Sequence, residues 1–199
     1  MIKLPPHAPG MRIGLFGGSF NPPHEGHRLV ALMALRRAGL DALWVMVTPG
    51  NPLKDPAQLP PLAERLARTK ALFRHPRIKV TDFETPLRVR YSWQTVDFLS
   101  RRARGAKFVW VMGADNLAGF HRWRRWRDIA RKLPILVVDR PGSTHRAALG
   151  GVAGWFSRVR LPEAQAARLC DRRPPALVLL HGPRSPLSST QLRARRDVP

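Results

Sequence analysis

Several residue types and patterns are scarce in this chain, and each scarcity excludes a class of protein. Cys170 is the only cysteine among 199 residues, so no disulfide can form within the chain and a reducing compartment is expected. No apolar run reaches the roughly 20 residues that a membrane-spanning helix needs. Residues 1–10 contain three prolines and no apolar core of the kind found in secretory signals. We therefore expect a cytoplasmic protein whose first ten residues form a flexible extension.

The commoner phosphate-binding motifs are also missing. No Gly-Lys-Ser/Thr triplet is present, which excludes a Walker A loop. The dinucleotide fingerprint G-x-G-x-x-G does not fit the glycines at positions 14, 17, 18 and 26.

The zinc motif H-E-x-x-H needs histidines four residues apart, whereas His24 and His27 are three apart. We therefore predict no metal ligands in the protein.

Acidic residues are few, and the charge balance suggests anionic partners. The chain has 13 Asp and Glu against 35 Lys and Arg, a net charge of +22. Only six of the basic residues are Lys, and the arginines are spread along the whole chain. Such a charge attracts polyanions, so composition alone is compatible with a nucleic-acid-binding protein. No helix-turn-helix, zinc-finger or RNP signature accompanies it, and a small anionic substrate benefits from the same potential.

The most informative run that is present is residues 14–27, GLFGGSFNPPHEGH. It follows an apolar stretch that predicts a first strand and precedes an amphipathic stretch that predicts a first helix. A glycine-rich turn lets backbone N–H groups approach an anion, and the helix N-terminus adds the positive end of its dipole. His24 and His27 fall on one face of the first helical turn, where we expect an exposed loop edge. The run predicts that phosphate groups are bound here.

Short apolar runs alternate with helical patterns along the chain. This alternation predicts an α/β fold, a Rossmann-like doubly wound parallel sheet with helices on both faces, in a single domain from 11 to 199. Residues 142–154, rich in Gly and Ala, are expected to be a mobile insertion. Strands are predicted near 11–17, 42–48, 77–82, 107–113, 134–139 and 176–181. Helices are predicted near 25–38, 60–74, 93–104, 122–132, 162–171 and 188–196. Several polar motifs directly follow predicted strands, so they should meet at one edge of the sheet.

The run at 14–27 resembles the nucleotidyltransferase superfamily signature [S/T]-x-x-x-x-H-x-G-H, with Ser19, His24, Gly26 and His27 in the matching places. Residues 186–193, PLSSTQLR, resemble the family's I-S-S-T-x-x-R motif with Leu in the first place. The interior is similar to bacterial nicotinate-nucleotide adenylyltransferases, and the resemblance covers residues 11 to 196. The matching interior segments are TPGNPLK at 48–54, RYSWQT at 90–95, GADNL at 113–117, FHRW at 120–123 and DRPG at 139–142. One departure is Ser92, where the family more often has Thr.

The resemblance implies adenylyl transfer from ATP to nicotinate mononucleotide, giving nicotinate adenine dinucleotide and pyrophosphate in NAD biosynthesis. It implies Mg²⁺ that arrives with ATP, with no dedicated protein cage. The implied catalytic residues are His24 and His27. The implied ATP-binding residues are Phe16, Gly17, Gly18, Ser19, Phe20, Gly113, Asp115, Ser188, Ser189, Thr190 and Arg193. The implied nicotinate mononucleotide-binding residues are Lys54, Tyr91, Ser92, Trp123 and Arg140.

Alternatives remain open at this point. Asp115 is a candidate to accept from ribose hydroxyls, but it could instead cap the next helix. Lys54 and Arg140 could be solvated surface residues, and Trp126 is expected in the core rather than in the site. The acceptor could be nicotinamide mononucleotide or phosphopantetheine, or the chain could be a non-enzymatic basic nucleic-acid-binding protein. The sequence predicts no oligomeric state.

Overall fold

The fold is built on one parallel sheet, seen in a computed structural model that describes residues 2–50, 59–139 and 152–182. Its seven strands lie in the order β3-β2-β1-β4-β5-β7-β6, and every pairing is parallel. The strands are β1 (Arg12–Gly18), β2 (Ala42–Val47), β3 (Ile78–Thr81), β4 (Lys107–Gly113), β5 (Ile135–Val138), β6 (Arg160–Leu161) and β7 (Leu177–Leu180). The six strands predicted from apolar runs are confirmed to within two residues. The two-residue strand β6 was not predicted because it is too short to form an apolar run in the sequence.

Both faces of the sheet are covered, which explains the continuous apolar runs. All six residues of β2 are buried. Trp44 and Met46 belong to one core cluster, whereas Leu43, Val45 and Val47 belong to the other. This alternation follows from the pleat, which sends successive side chains to opposite faces. The Rossmann-like doubly wound fold is therefore confirmed.

Helices divide between the two faces according to their apolar residues. The helices are α1 (Glu25–Arg37), α2 (Leu62–Leu72), α3 (Ser92–Arg102), α4 (Ala114–Ala118), α5 (Trp126–Lys132) and α6 (Ala153–Phe156), with 3-10 helices at Phe120–Arg122 and Glu163–Asp171. Buried residues of α1 pack in one cluster, and those of α3 and α5 pack in the other. Within the described residues, every helix is too short or too polar to cross a lipid bilayer. The helix predicted at 188–196 lies outside the described residues.

The segment after β4 differs most from the prediction. One helix was expected over 122–132, but the structure has α4, a 3-10 turn and then α5. The helix cannot start at 122 because Trp123 is extended, with φ −74° and ψ 133°. Arg125 then adopts φ 56°, so regular α-helix begins only at Trp126. Trp126 is 9% exposed and belongs to the core, as expected.

Residues 2–10 lie against the domain. Ile2 and Leu4 pack against one core cluster, and the Gly10 amide donates to the Gly105 carbonyl at 2.8 Å. The expected flexibility of this extension stays a prediction. Most of the expected insertion at 142–154 lies outside the described residues, although Val152 is buried in the core.

The strand order reverses between β1 and β4. From β1 the chain proceeds outward to β2 and β3, and from β4 it proceeds outward in the other direction to β5 and β7. In open parallel sheets, ligands bind beyond the carboxyl ends of the strands at such a switch point. The turns after Gly18 and Gly113 flank the switch point, so a binding site is expected at this edge of the sheet.

Candidate active site

The turn after β1 has an unusual backbone conformation. Phe20 has φ 46°, in the left-handed region that costs a bulky residue about 1–3 kcal/mol. Its buried ring makes edge contacts with the rings of Phe16, Phe73 and His27 at centroid distances of 5.6, 5.8 and 5.1 Å. This packing offsets the backbone strain. The turn therefore keeps the Ser19 and Phe20 amides at the carboxyl edge of β1 in a fixed geometry.

The two histidines of the run share one hydrogen-bonding pattern. Nδ1 of His24 accepts from the Gly26 amide at 3.1 Å, and Nδ1 of His27 accepts from the His24 amide at 3.3 Å. A neutral imidazole that accepts at Nδ1 carries its proton on Nε2. The two ring centroids lie 3.9 Å apart. When neutral, both rings therefore carry Nε2–H groups, and an Nε2–H group can donate to a phosphate oxygen.

His24 has a second role that the sequence did not reveal. It is the N-cap of α1, with its ring accepting the Gly26 amide, and only 5% of the residue is exposed. The expectation of an exposed loop edge for both histidines is therefore wrong for His24. Histidine is an uncommon N-cap, so residue preferences gave no signal for it. The cap fixes the ring orientation by the same bond that stabilises the helix.

The start of α3 provides a second binding surface. Tyr91 is the N-cap, and the Gln94 side chain reaches back to accept from the amides of Tyr91 at 2.9 Å and Arg90 at 3.0 Å. These two bonds order the chain as it enters the helix. The first amides of a helix lack intrahelical acceptors, so the end at Ser92 suits an anion such as a carboxylate. Gln94 is a supporting residue that the sequence reasoning passed over.

The segment that carries Trp123 contacts this helix start through the next residue. The Trp123 ring is partly buried and makes edge contacts with Trp110 and Phe120 at centroid distances of 6.1 and 5.3 Å. The guanidinium of the following residue, Arg124, lies 5.0 Å from the centre of the Tyr91 ring. The structure therefore brings together the two segments that the sequence linked to a nicotinate ring.

The end of β4 gives the third part of the edge. Gly113 is the N-cap of α4, and Asp115 lies exposed in the first turn of that helix. Asp115 is therefore not the N-cap residue of this helix. It keeps its candidate role as an acceptor for ribose hydroxyls.

Arg65 is a buried charged residue next to the site that the sequence reasoning missed. It lies on α2 and is 2% exposed, and burial lowers the pKa of its guanidinium from the usual value. It donates to carbonyl groups of the turns after β1 and β2. An arginine in an amphipathic helix is normally predicted on the solvent side, so the sequence carried no signal for this contact.

Several predicted site residues lie outside the described residues. They are Lys54, Arg140, Ser188, Ser189, Thr190 and Arg193. Within residues 2–50, 59–139 and 152–182, no group of three or more His, Cys, Asp or Glu side chains could hold a metal ion. The roles of all the site residues stay predictions.

Comparisons with known proteins agree on one family. The family model described as cytidylyltransferase-like matches residues 15–195. A Rhizobium meliloti protein named "Probable nicotinate-nucleotide adenylyltransferase" is 56% identical over 187 residues, covering 94% of this chain and all of that protein. A Mesorhizobium japonicum protein of the same name is 53% identical and covers 94% of this chain and 97% of its own length.

A solved structure supports the fold independently. The structure of Plasmodium falciparum nicotinic acid mononucleotide adenylyltransferase complexed with NaAD matches with a TM-score of 0.70, although only 14% of the aligned residues are identical. The match covers 92% of this chain and 83% of that chain. This likeness shows the fold. The family model and the curated relatives show that the chain belongs to the cytidylyltransferase-like nucleotidyltransferases, and among them to the nicotinate-nucleotide adenylyltransferase family.

Proposed function

We propose that the protein transfers the adenylyl group of ATP to nicotinate mononucleotide, forming nicotinate adenine dinucleotide and pyrophosphate for NAD biosynthesis. The observation that carries this proposal is the pair of Nδ1-anchored rings, His24 and His27, beside the strained turn at the β1/β4 switch point. The family membership of the chain supports the same reaction. We place the reaction in the cytoplasm, where ATP and the reduced Cys170 are both expected.

The reaction needs positioning and charge stabilisation more than proton transfer. An oxygen of the mononucleotide phosphate attacks the α-phosphorus of ATP, a new P–O bond forms, and the bond to the departing pyrophosphate breaks. A phosphomonoester has a second pKa of about 6, so the nucleophile is already ionised at neutral pH. The Nε2–H groups of His24 and His27 and the amides of Ser19 and Phe20 stabilise the charge on the transferring group.

The remaining residues hold the two substrates. Asp115 accepts from the ribose of ATP, while residues 188–190 and Arg193 bind the phosphates that leave. Gly17 and Gly18 leave room for the triphosphate, beside the packed ring of Phe16. Mg²⁺ bound to the triphosphate would neutralise charge there, with phosphate oxygens and water rather than protein side chains as its ligands.

The acceptor lies against α3 and the segment after β4. The Ser92 amide, at the start of the helix that Tyr91 caps, binds the nicotinate carboxylate, and Trp123 stacks on the pyridine ring. Lys54 and Arg140 contact the mononucleotide phosphate. A pocket of donors favours the acid over the amide, because a carboxamide NH₂ would face other donors. Each mismatch costs about 1–3 kcal/mol, so we expect at least tenfold higher kcat/KM with nicotinate mononucleotide than with nicotinamide mononucleotide.

Pyrophosphate release with ATP and a panel of acceptors tests the proposal. The panel contains nicotinate mononucleotide, nicotinamide mononucleotide and phosphopantetheine, and the dinucleotide product is confirmed by mass. A His27→Ala preparation purified in parallel controls for contaminating enzymes. Equal kcat/KM for the acid and amide mononucleotides would overturn the acceptor assignment, and absence of transfer to every acceptor would overturn the enzymatic function.

A further inference from the structure

Arg65 joins three separate segments of the chain at the edge of the site. Its Nε donates to the Pro60 carbonyl at 3.0 Å, beside the start of its own helix. One terminal nitrogen donates to the carbonyls of Ser19 at 2.9 Å and Thr48 at 2.8 Å, and the other donates to Pro49 at 3.2 Å. The recorded partners are thus four carbonyl oxygens. A planar fork of five donors is the side chain that can reach them together.

The contacts of this fork tie the turns after two neighbouring strands to each other. Ser19 follows β1 and Thr48 follows β2, and the Thr48 amide donates to the Gly18 carbonyl at 3.0 Å, which extends the strand pairing by one bond. The hydroxyl of Thr69, one turn further along α2, donates to the Arg65 carbonyl at 2.6 Å. That bond fixes the Arg65 backbone within the helix, while the guanidinium holds both turns in place.

The bond to Ser19 has a directional consequence for the next amide. The peptide bond between Ser19 and Phe20 is trans, so the Ser19 carbonyl and the Phe20 N–H point in opposite directions. With the Ser19 carbonyl directed at Arg65, the Phe20 N–H is directed away from Arg65. The ring of Phe20 is separately fixed by its aromatic neighbours. Both the peptide plane and the side chain of this turn are therefore constrained.

We infer that Arg65 is a positioning residue of the transfer reaction. It sets the peptide plane that presents the Phe20 N–H to the transferring phosphoryl group, and it fixes the turn at Thr48 and Pro49 beside it. This inference rests on the proposed function, in which that amide is a donor to the phosphoryl group. Arg65 itself touches no reacting atom, so its effect passes through the backbone. The effect depends on the shape of the guanidinium and not only on its charge.

Replacing Arg65 with Lys separates shape from charge. An ammonium keeps the positive charge, but its donors share a single nitrogen and cannot span the four carbonyls. Misplacing one donor should lower kcat about tenfold to a hundredfold, with the KM values of both substrates within about threefold of the parent. Arg65→Gln, which retains two N–H donors without charge, should fall in the same range.

Two control variants keep the result specific. Arg68→Lys makes the same change one turn along α2, at a residue that is exposed and paired with Glu64, and its kcat should match the parent. Leu169→Ala removes a buried side chain from the 3-10 helix Glu163–Asp171, and it reports the effect of lost stability alone. Thermal unfolding is measured for every variant, and kinetics are measured at a temperature where each is folded.

Each outcome decides between roles. An Arg65→Lys protein that is folded and keeps kcat within twofold of the parent would overturn the inference. So would an equal loss of kcat in Leu169→Ala, or failure of both Arg65 variants to fold where Leu169→Ala folds, because Arg65 would then be structural. A parent protein that transfers nothing to nicotinate mononucleotide would instead overturn the proposed function itself, and the inference with it.

Discussion

Replacing His24 with Asn separates its two roles. The His24 ring both caps α1 and provides the Nε2–H donor. Asparagine is among the best N-cap residues, so its side-chain oxygen can accept the Gly26 amide while the ring donor is lost. His24→Ala removes the cap as well as the donor. The two variants should therefore differ in stability and agree in the loss of catalysis.

The expected magnitudes follow from these contacts. Losing one preorganised donor to developing charge costs about 10²–10³ in kcat, or roughly 2.7–4 kcal/mol. Losing the cap costs about 0.5–2 kcal/mol of folding stability. His24→Ala should show this loss, whereas His24→Asn should not, because asparagine keeps the cap. Pyrophosphate release at saturating substrates measures kcat, and urea unfolding followed by circular dichroism measures the free energy of unfolding.

A matched control is available at His75. Its Nδ1 also accepts the amide two residues later, from Arg77 at 3.1 Å, but it lies just before β3, at the opposite edge of the sheet. His75→Asn should therefore leave kcat unchanged. If His24→Asn were folded and kept kcat within threefold of the parent, the assignment of the ring as a phosphate donor would be refuted.

Three further predictions concern other residues. Arg193→Ala should raise the KM for ATP more than that for the mononucleotide, with Lys recovering only part because it lacks a bidentate fork; initial-rate kinetics would contradict this if only the mononucleotide KM rose. Burial raises the pKa of the Glu84 carboxyl, which accepts from the Thr95 hydroxyl at 2.5 Å, so ionising it opposes folding as pH rises above the usual carboxyl range. The stability of Glu84→Gln relative to the parent should then rise as the pH is raised from about 4 to about 8, the range above an unperturbed carboxyl pKa. A difference in melting temperature that does not change with pH would contradict this prediction. Burial raises the pKa of the Cys170 thiol to about 12, whereas an unperturbed thiol has a pKa of about 8.5. Ellman's reagent at a pH of about 8 should therefore react with Cys170 only after unfolding, and rapid labelling of the folded protein would contradict this.

The sequence predicted the strands and most helices because their signals are local. Continuous apolar runs such as residues 43–47 indicate strands covered on both faces, and the structure buries them there. The turns after β1 and β4 were placed at one edge because parallel strands end on the same side. The helix boundary near Trp126 was not predictable, since it depends on the backbone conformations of Trp123 and Arg125 rather than on apolar spacing.

The sequence by itself determined the family, the fold class and the identity of the candidate catalytic histidines, because these depend on contiguous motifs and on repeating apolar patterns. Only the tertiary structure decided which imidazole nitrogen of His24 and His27 faces the helix amides, since that depends on angstrom-scale backbone geometry. It alone also brought Arg65 to the carbonyls of Ser19 and Thr48, which are 46 and 17 residues away along the chain. Packing of α2 against the sheet buries that guanidinium, and a buried cation must find acceptors wherever the fold provides them.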